Sequence, residues 1–323
     1  MKAVGVCVVG LGHNGRAWCD VYARNPGYRL LAVCDKDARR LKDAAQAHGA
    51  EGYRDYSFLD RGDLEAVSIH TPDHLHAEPV IAALKAGKHV VVEKPLATSL
   101  ADLRKMVRAA DRSGRVVMVA QVLRFYPIFQ TAKAWIDQGM LGEIFYMEAD
   151  YIHDLRYQRR MEKWKVTQEL PIVGGGVHPL DLLRWFNGEI TQVYALGNHI
   201  SYREMRNDTA MAALFRFKNG AIAKVTALYG CVNPMPALYN LGVYGTKGTL
   251  LRDQLCLDGL HEWMKVSAPA GKSYEAEAEH FLDCIRTGKT PLVTAHDGAR
   301  SAAACLCAVQ SAALGRPVRV PAM

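Results

Sequence analysis

The sequence predicts an α/β domain with a doubly wound parallel sheet, followed by an α+β domain with a large, mainly antiparallel open sheet. Continuous apolar strand segments alternate with helical patterns in the first third, and the first strand opens into closely spaced glycines. After Gln121 the strand patterns instead alternate apolar and polar residues. The 323 residues suffice for two domains, which we place at 1–121 and 122–323, with the last helix free to pack back on the first domain.

In the first domain, strands and helices are predicted to alternate through most of its length. The elements in order are the strand VGVCVVG, the helix RAWCDVYARNPG, the strand YRLLAVCD, the helix KDARRLKDAAQAHG, the strand AVSIH, the helix HAEPVIAALKAG, the strand HVVVE, a helix from Ser99 to Ser113 and the strand RVVMVAQ. Ser99 with Asp102 three residues later is a helix-start signature, and Gly114 is a typical helix end. Strands that are apolar throughout are typical of a parallel sheet covered on both faces.

The glycines between the first strand and the first helix follow the pattern G-x-G-x-x-G. Gly10 permits the tight turn, Gly12 leaves room for a pyrophosphate, and Gly15 lets helix and strand pack closely. His13 and Asn14 lie inside this turn, where contact with the edge of a cofactor is expected. The helix start offers N–H groups to phosphates. This context predicts a dinucleotide-binding Rossmann domain rather than a plain structural turn.

The choice of cofactor depends on the end of the second strand. Asp35 stands 20 residues after Gly15, where a carboxylate can accept hydrogen bonds from the adenosine ribose. The same carboxylate repels a 2′-phosphate, which favours NAD over NADP. Lys36 and Arg39 lie nearby and could soften that preference. NAD is the predicted cofactor.

The strand HVVVE ends in Glu93, Lys94 and Pro95, at the edge of the sheet where ligands of parallel sheets bind. Proline fixes the backbone of that turn and could follow a cis peptide bond. A lysine beside a nicotinamide can take part in proton transfer or stabilise a developing charge. A surface pair with Glu93, or a contact with phosphate, is the alternative use of Lys94, and spacing alone does not decide between them.

At this point the sequence resembles the glucose–fructose oxidoreductase, inositol dehydrogenase and rhizopine catabolism (Gfo/Idh/MocA) family over nearly its whole length. The motifs that carry the resemblance are VVGLGHNG, HTPDHLHAEPVIAALKAGKHVVVEKPLA, RFYPIFQTAKAWIDQGMLGEI, GGGVHPLDLLRW and GVYGTKGTL. The resemblance implies that Lys94 lies at the nicotinamide and serves substrate binding and catalysis. It further implies a set of cofactor neighbours, which are Thr71, Pro72, His74, His76 and Gln121. Glu93 is expected at the cofactor because it ends the strand HVVVE.

The second domain is predicted to combine strands and helices around an antiparallel sheet. Predicted strands are EIFYMEADYIH, TQVYALGNHI, TAMAALFRFK, AIAKVTALY and the strand–turn–strand segment YNLGVYGTKGTLL, and predicted helices are IFQTAKAWIDQG, HPLDLLRWF, YEAEAEHFLDCIRTG and DGARSAAACLCAVQSAALG. Asn219-Gly220 between two of these strands is a strong hairpin signal. The family resemblance implies that the outer face of such a sheet makes subunit contacts, so we expect a homodimer or homotetramer.

His178 opens a helix behind three glycines, with Pro179 in its first turn. A neutral histidine can accept an alcohol proton near pH 7, and a helix-capping role is the alternative. The resemblance implies an aspartate four residues earlier in many family dehydrogenases, where this chain has Gly174. Asp181 is predicted to be a structural partner more than a substrate ligand. Tyr126 and Tyr157 could shape the substrate pocket or simply pack, and the sequence does not decide between these roles.

Bulk properties exclude several classes of protein. The net charge of +7 is spread among acidic residues, unlike a nucleic-acid footprint. No apolar run reaches the length of a membrane span, and the eight cysteines form no C-x-x-C pair, so we expect a reduced, cytoplasmic protein without a signal peptide. Three histidines occur in HTPDHLH, but a cofactor loop is the better interpretation, and no metal is predicted.

The sequence leaves three functions open. The leading prediction is an NAD-dependent oxidoreductase that acts on a secondary alcohol of a sugar, inositol, polyol or glycoside; this substrate class is implied by the resemblance. In that case Lys94 and His178 would flank the reacting oxygen. The second is a redox-neutral, NAD-dependent enzyme that cleaves glycosides, which the missing aspartate keeps open. The third is a non-catalytic NAD-binding regulator, against which the presence of Lys94 and His178 argues.

Overall fold

The computed structural model describes residues 2–154, 163–232, 239–265 and 274–323. The described residues form two compact units. The first unit takes in the described residues of 1–122 and 273–299 together with Met323, and the second takes in those of 123–272 and 300–322. Within the described ranges no helix is both long and apolar enough to cross a membrane.

The first unit contains a six-stranded sheet in which every pair of neighbouring strands is parallel. Its strands are β1 (Val4–Val9), β2 (Tyr28–Cys34), β3 (Glu51–Tyr53), β4 (Ala66–Ile69), β5 (His89–Glu93) and β6 (Val117–Ala120), and its helices include α1 (His13–Arg24), α2 (Ala38–His48), α3 (Ala77–Lys85) and α4 (Leu100–Ser113). The strand order β3-β2-β1-β4-β5-β6 reverses direction beside β1. This order confirms the doubly wound prediction and puts the ligand crevice at the carboxyl ends of β1 and β4.

Burial explains why these segments fold as predicted. All six residues of β1 are buried, as expected of a central strand covered on both faces. Trp18 and Tyr22 of α1 are fully buried, and their ring centroids are 5.4 Å apart. The predicted start of α4 is confirmed, because the Ser99 hydroxyl accepts a hydrogen bond from the backbone N–H of Asp102 at 3.1 Å.

The second unit contains a nine-stranded sheet in the order β14-β13-β12-β11-β7-β10-β9-β8-β15. The strands are β7 (Ile144–His153), β8 (Ile190–Asn198), β9 (Ala210–Phe217), β10 (Ile222–Tyr229), β11 (Tyr239–Gly245), β12 (Gly248–Leu251), β13 (Gln254–Leu257), β14 (Met264–Lys265) and β15 (Val318–Arg319). The pair β7–β10 is parallel, and the other pairs of neighbouring strands are antiparallel. The predicted hairpin is confirmed, with Gly220 at a φ of +95° between β9 and β10.

Helices complete both units. They are α5 (Pro127–Asp137), α6 (Lys163–Gln168), α7 (Pro171–Gly174), α8 (Val177–Asn187), α9 (Tyr274–Thr287) and α10 (Ala295–Leu314). In the first unit, the Tyr28 hydroxyl donates to the carbonyl of Ala278 in α9 at 2.7 Å. The helix α9 therefore belongs to the first unit, although it follows the second-domain sheet in sequence, and α10 has residues in both units.

The sequence patterns missed the shortest elements. These are β3, β13, β14, β15, α6 and α7, of which the longest has six residues. Two to six residues show too little periodicity to distinguish a strand or helix from a loop. Pairing along the edges of the sheets defines the short strands, and that pairing depends on the tertiary structure.

Candidate active site

The glycine turn after β1 can be built only with glycine at two of its positions. Gly10 has a φ of +88°, and a Cβ added there would lie 2.6 Å from backbone atoms of His70 and Thr71. A Cβ on Gly15 would lie 1.8 Å from the carbonyl oxygen of Gly10. The helix α1 then begins at His13, and no described side chain caps its start. Its first N–H groups therefore suit a phosphate ligand.

Asp35 lies directly after β2 and is tied to the glycine turn. Its carboxylate accepts hydrogen bonds from the backbone N–H groups of Leu11 at 2.7 Å and Asp37 at 2.8 Å. These bonds fix the carboxylate beside the turn while leaving it further acceptor capacity for ribose hydroxyls. Lys36 follows it on the surface, and its carbonyl accepts from the Arg54 guanidinium at 3.0 Å.

The loop after β4 carries the predicted cofactor neighbours Thr71, Pro72, His74 and His76. Thr71 and Pro72 are half-buried, and His74 is exposed. His76 is fully buried, with Nδ1 2.8 Å from the carbonyl oxygen of Pro95 and Nε2 3.0 Å from that of Thr71. Burial lowers the pKa of His76. This geometry supports a bracing role, in which His76 joins the loop after β4 to the turn after β5.

Lys94 and Gln121 follow neighbouring strands. Glu93 of β5 pairs with Ala120 of β6, so the next residues along each strand, Lys94 and Gln121, leave the same edge of the sheet. Lys94 is half-buried, and its peptide bond to Pro95 is cis. Gln121 is 1% exposed, and neither polar atom of its side-chain amide has a hydrogen-bond partner among the described residues.

A buried polar chain beneath this edge was missed by the sequence analysis. The Tyr22 hydroxyl donates to Ser68 Oγ at 3.0 Å, and Ser68 Oγ lies 2.6 Å from His70 Nε2. The other ring nitrogen of His70 is 3.5 Å from a carboxylate oxygen of Glu93. The chain thus leads from α1 to the His70 ring, which lies near Glu93, the last residue of β5. Its signal was present in the serine and histidine of the otherwise apolar segment AVSIH.

These residues fit a bound dinucleotide. The glycine turn has no room for Cβ atoms at Gly10 and Gly15, α1 has an uncapped start, and the carboxylate of Asp35 lies beside the turn at the end of β2. Gln121 offers a buried amide without a described partner, and the hydroxyl of Thr71 is also buried without one. Buried polar groups nearly always have hydrogen-bond partners in native structures. A ligand such as the carboxamide end of NAD would supply partners for both.

In the second unit, His178 lies in the first turn of α8 behind the triple glycine. It is 7% exposed, and its ring contacts two tyrosines. The ring centroid is 6.1 Å from that of Tyr151 in a stacked arrangement and 5.9 Å from that of Tyr239 in an edge-on arrangement. A Cβ on Gly175 would lie 2.4 Å from the Tyr151 ring. The glycines thus let the aromatic strand residues approach the start of α8.

Asp181 is held inside the second unit. Its carboxylate accepts two hydrogen bonds from the Arg124 guanidinium, at 2.7 and 2.9 Å, and one from the Ser301 hydroxyl at 2.7 Å. Asp181 and Arg124 are 1% and 3% exposed. These three bonds all lie within the second unit, which supports the predicted structural role of Asp181 over a substrate contact.

Two tyrosines, Tyr126 and Tyr157, were proposed to shape the substrate pocket or to pack. Tyr126 precedes α5 and stacks on Phe129 with ring centroids 5.9 Å apart. Tyr157 lies outside the described residues. Within the described ranges, no group of three or more histidine, cysteine, aspartate or glutamate side chains is placed to hold a metal ion.

Comparisons with known proteins give a consistent family. Residues 4–121 match the model described as "Oxidoreductase family, NAD-binding Rossmann fold", and residues 129–251 match the "GFO/IDH/MocA C-terminal domain". The scyllo-inositol 2-dehydrogenase (NAD(+)) of Bacillus subtilis (strain 168) is 27% identical over 343 residues, covering 97% of this chain and 95% of the relative. The predicted cofactor, NAD, is the one that the matching family model names.

Two further similar proteins are a dehydrogenase and a hydratase. A solved structure of levoglucosan dehydrogenase in complex with NADH has a TM-score of 0.88 and 25% identity, covering 100% of both chains. The 2,7-anhydro-N-acetylneuraminate hydratase of Mediterraneibacter gnavus is 28% identical over 292 residues, covering 87% of this chain and 73% of the relative.

Proposed function

Because this chain belongs to the GFO/IDH/MocA oxidoreductase family, we propose that it transfers a hydride between NAD and a secondary alcohol of a sugar, inositol, polyol or glycoside. The NAD-dependent oxidoreductase class is established by the family, and the CH–OH substrate is the proposed part. The observation that carries the proposal is the pair of neighbouring strand ends that lead into Lys94 and Gln121, together with the buried Gln121 amide, which has no hydrogen-bond partner among the described residues.

The chemistry follows from what these side chains can do. NAD, when bound, supplies the hydride acceptor. In the oxidative direction the alcohol loses its hydroxyl proton as the carbonyl forms, and Lys94 in its amine form accepts that proton. His178, as a neutral imidazole, donates its ring N–H to the oxygen of the same alcohol and orients it. Glu93, the residue before Lys94, adds a carboxylate near the His70 ring at the same strand end.

A panel of neutral sugars, inositols, polyols and glycosides tests this proposal. We expect at least one member to reduce NAD, seen as the absorbance of NADH. Cleavage of a glycoside without net NADH would instead support the redox-neutral alternative, which Gly174 and the similarity to a hydratase keep as the second candidate. NAD binding without turnover of any panel member would contradict both enzymatic proposals and favour the regulator.

Asp35 is expected to set the cofactor preference. Asp35→Asn should lower the ratio of kcat/KM for NAD over NADP by about tenfold, because the negative charge that repels the 2′-phosphate is lost. The asparagine oxygen can still accept from the N–H of Leu11, so the glycine turn should remain in place. Steady-state kinetics with both cofactors measure the ratio, and Asp43→Asn in the exposed part of α2 is the control. An unchanged ratio would place the ribose elsewhere.

We also propose that the second unit associates with further copies through the outer face of its sheet. Leu196, Leu214 and Ile222 lie on one face by strand register and are 61%, 55% and 45% exposed. A dimer or tetramer in light scattering is the expected result, and a monomer would contradict it. All eight cysteines are unpaired, which supports the proposed cytoplasmic location.

A further inference from the structure

A buried carboxylate occupies the space beside Gly174. Glu169 lies just before α7 and is 7% exposed. One carboxylate oxygen, Oε1, accepts a hydrogen bond from the Tyr229 hydroxyl at 2.6 Å. A Cβ added to Gly174 would lie 2.6 Å from the same oxygen. Glycine at position 174 therefore leaves the room that the side chain of Glu169 takes up.

Glu169 belongs to the group of side chains that surrounds His178. The rings of Tyr229 and Tyr151 have centroids 5.8 Å apart, and Tyr151 in turn stacks on His178. The backbone of Glu169 is held as well, because its carbonyl accepts from the Asn207 amide at 2.8 Å. Burial and the nearby Glu169 carboxylate both raise the pKa of Tyr151. The carboxylate is thus connected to His178 through the rings of Tyr229 and Tyr151, and it lies five residues before Gly174, the position at which the resemblance implies an aspartate in many family dehydrogenases.

The second carboxylate oxygen of Glu169 lacks a donor. Oε2 is shielded from water and has no hydrogen-bond partner among the described residues. Carboxylate oxygens accept hydrogen bonds readily, and a shielded acceptor without a donor is unfavourable. A purely structural carboxylate would normally have both oxygens satisfied, as Asp181 does in the same unit. The missing donor points to a ligand group.

We propose that Glu169 binds the substrate, with Oε2 accepting a hydrogen bond from a substrate hydroxyl group and Tyr229 holding the carboxylate in place. This inference rests on the proposed function and narrows its substrate class. A buried carboxylate favours a neutral polyhydroxylated substrate and repels a sugar acid, since an unpaired second carboxylate would be desolvated beside it. The site is therefore one for neutral polyols or sugars, and it discriminates against uronic and aldonic acids.

The variant Glu169→Gln tests this assignment because it keeps the size of the side chain. Its amide oxygen can still accept from Tyr229, while its amide nitrogen becomes a donor where an acceptor is needed. We expect the affinity of the NADH-loaded protein for the neutral panel members, measured by calorimetry, to fall by about 10-fold to 100-fold. The preference for D-glucose over D-glucuronate should fall as well. Glu143→Gln, an exposed carboxylate of the same unit, is the matched control.

The possible results distinguish a substrate-binding role of Glu169 from a structural one. Unchanged affinity and unchanged discrimination in Glu169→Gln would overturn the assignment. Tight binding of D-glucuronate to the wild-type protein would also overturn it. The same holds if no neutral panel member binds to the wild-type protein. Tyr229→Phe should also weaken the affinity for the neutral panel members. If Glu169 had only a structural role, both variants would be less stable, but the preference for D-glucose over D-glucuronate would not change. Because calorimetry needs no turnover, polyol binding that depends on Glu169 but yields no NADH would refute the proposed oxidoreductase reaction and leave this inference standing.

Discussion

Lys94→Ala should abolish turnover while leaving the affinity for NADH within about twofold of the wild type. General acid–base groups contribute about 10²-fold to 10⁴-fold to rate, so kcat should fall by that range. Alanine removes both the proton acceptor and the positive charge at the end of β5. It leaves the glycine turn, the uncapped start of α1 and the Asp35 carboxylate unchanged, and these are the groups expected to bind the dinucleotide.

Two companion variants show what Lys94 contributes. Lys94→Arg keeps the charge but cannot give up a proton near neutral pH, so it should also lose most of its activity if proton transfer is the role. Lys85→Ala, at an exposed position of α3, should behave like the wild type. NADH fluorescence titration and steady-state kinetics measure the two properties separately. Lower affinity for NADH with normal turnover of the loaded enzyme would show that Lys94 binds phosphate instead.

The sequence predicted those parts of the fold that depend on residues close together in the chain, such as the glycine turn and the ends of the parallel strands. The glycine turn was predictable because Gly10 and Gly15 satisfy steric demands of neighbouring backbone, which any strand–turn–helix unit of this type imposes. The strand ends at Lys94 and Gln121 were placed correctly because the strands are parallel and end at one edge. Binding roles of these residues remain predictions, since they concern a ligand.

Contacts between distant segments were not predictable. His76 was expected beside the cofactor, yet its ring lies at two backbone carbonyls, a contact that depends on how two loops meet. Glu169 was not singled out, because a lone glutamate before an apolar segment has no distinguishing pattern. Its contact with Tyr229, which is 60 residues away in sequence, depends on the tertiary structure. The glycine at position 174, where the resemblance implies an aspartate, was the available signal in the sequence. It indicated that this site differs from that of many relatives, but it did not point to Glu169.

Asp181→Asn should lower the free energy of unfolding by about 3–5 kcal/mol, the largest stability effect expected of a single substitution here. The asparagine keeps the shape of the side chain but removes the negative charge that pairs with Arg124, a guanidinium that is 3% exposed. The hydrogen bond from Ser301 also loses a charged acceptor.

The exposed pair Lys133–Asp137 on α5 supplies the control, because Asp137→Asn should cost less than about 1 kcal/mol. Denaturant unfolding compares the two variants, and NADH affinity should stay normal in both. The double variant Arg124→Met with Asp181→Leu should recover much of the loss, since neither charge is then buried alone. Normal stability in Asp181→Asn together with weaker substrate binding would return Asp181 to the substrate site. The expected pattern instead assigns Asp181 to the framework that fixes α8, and with it the position of His178.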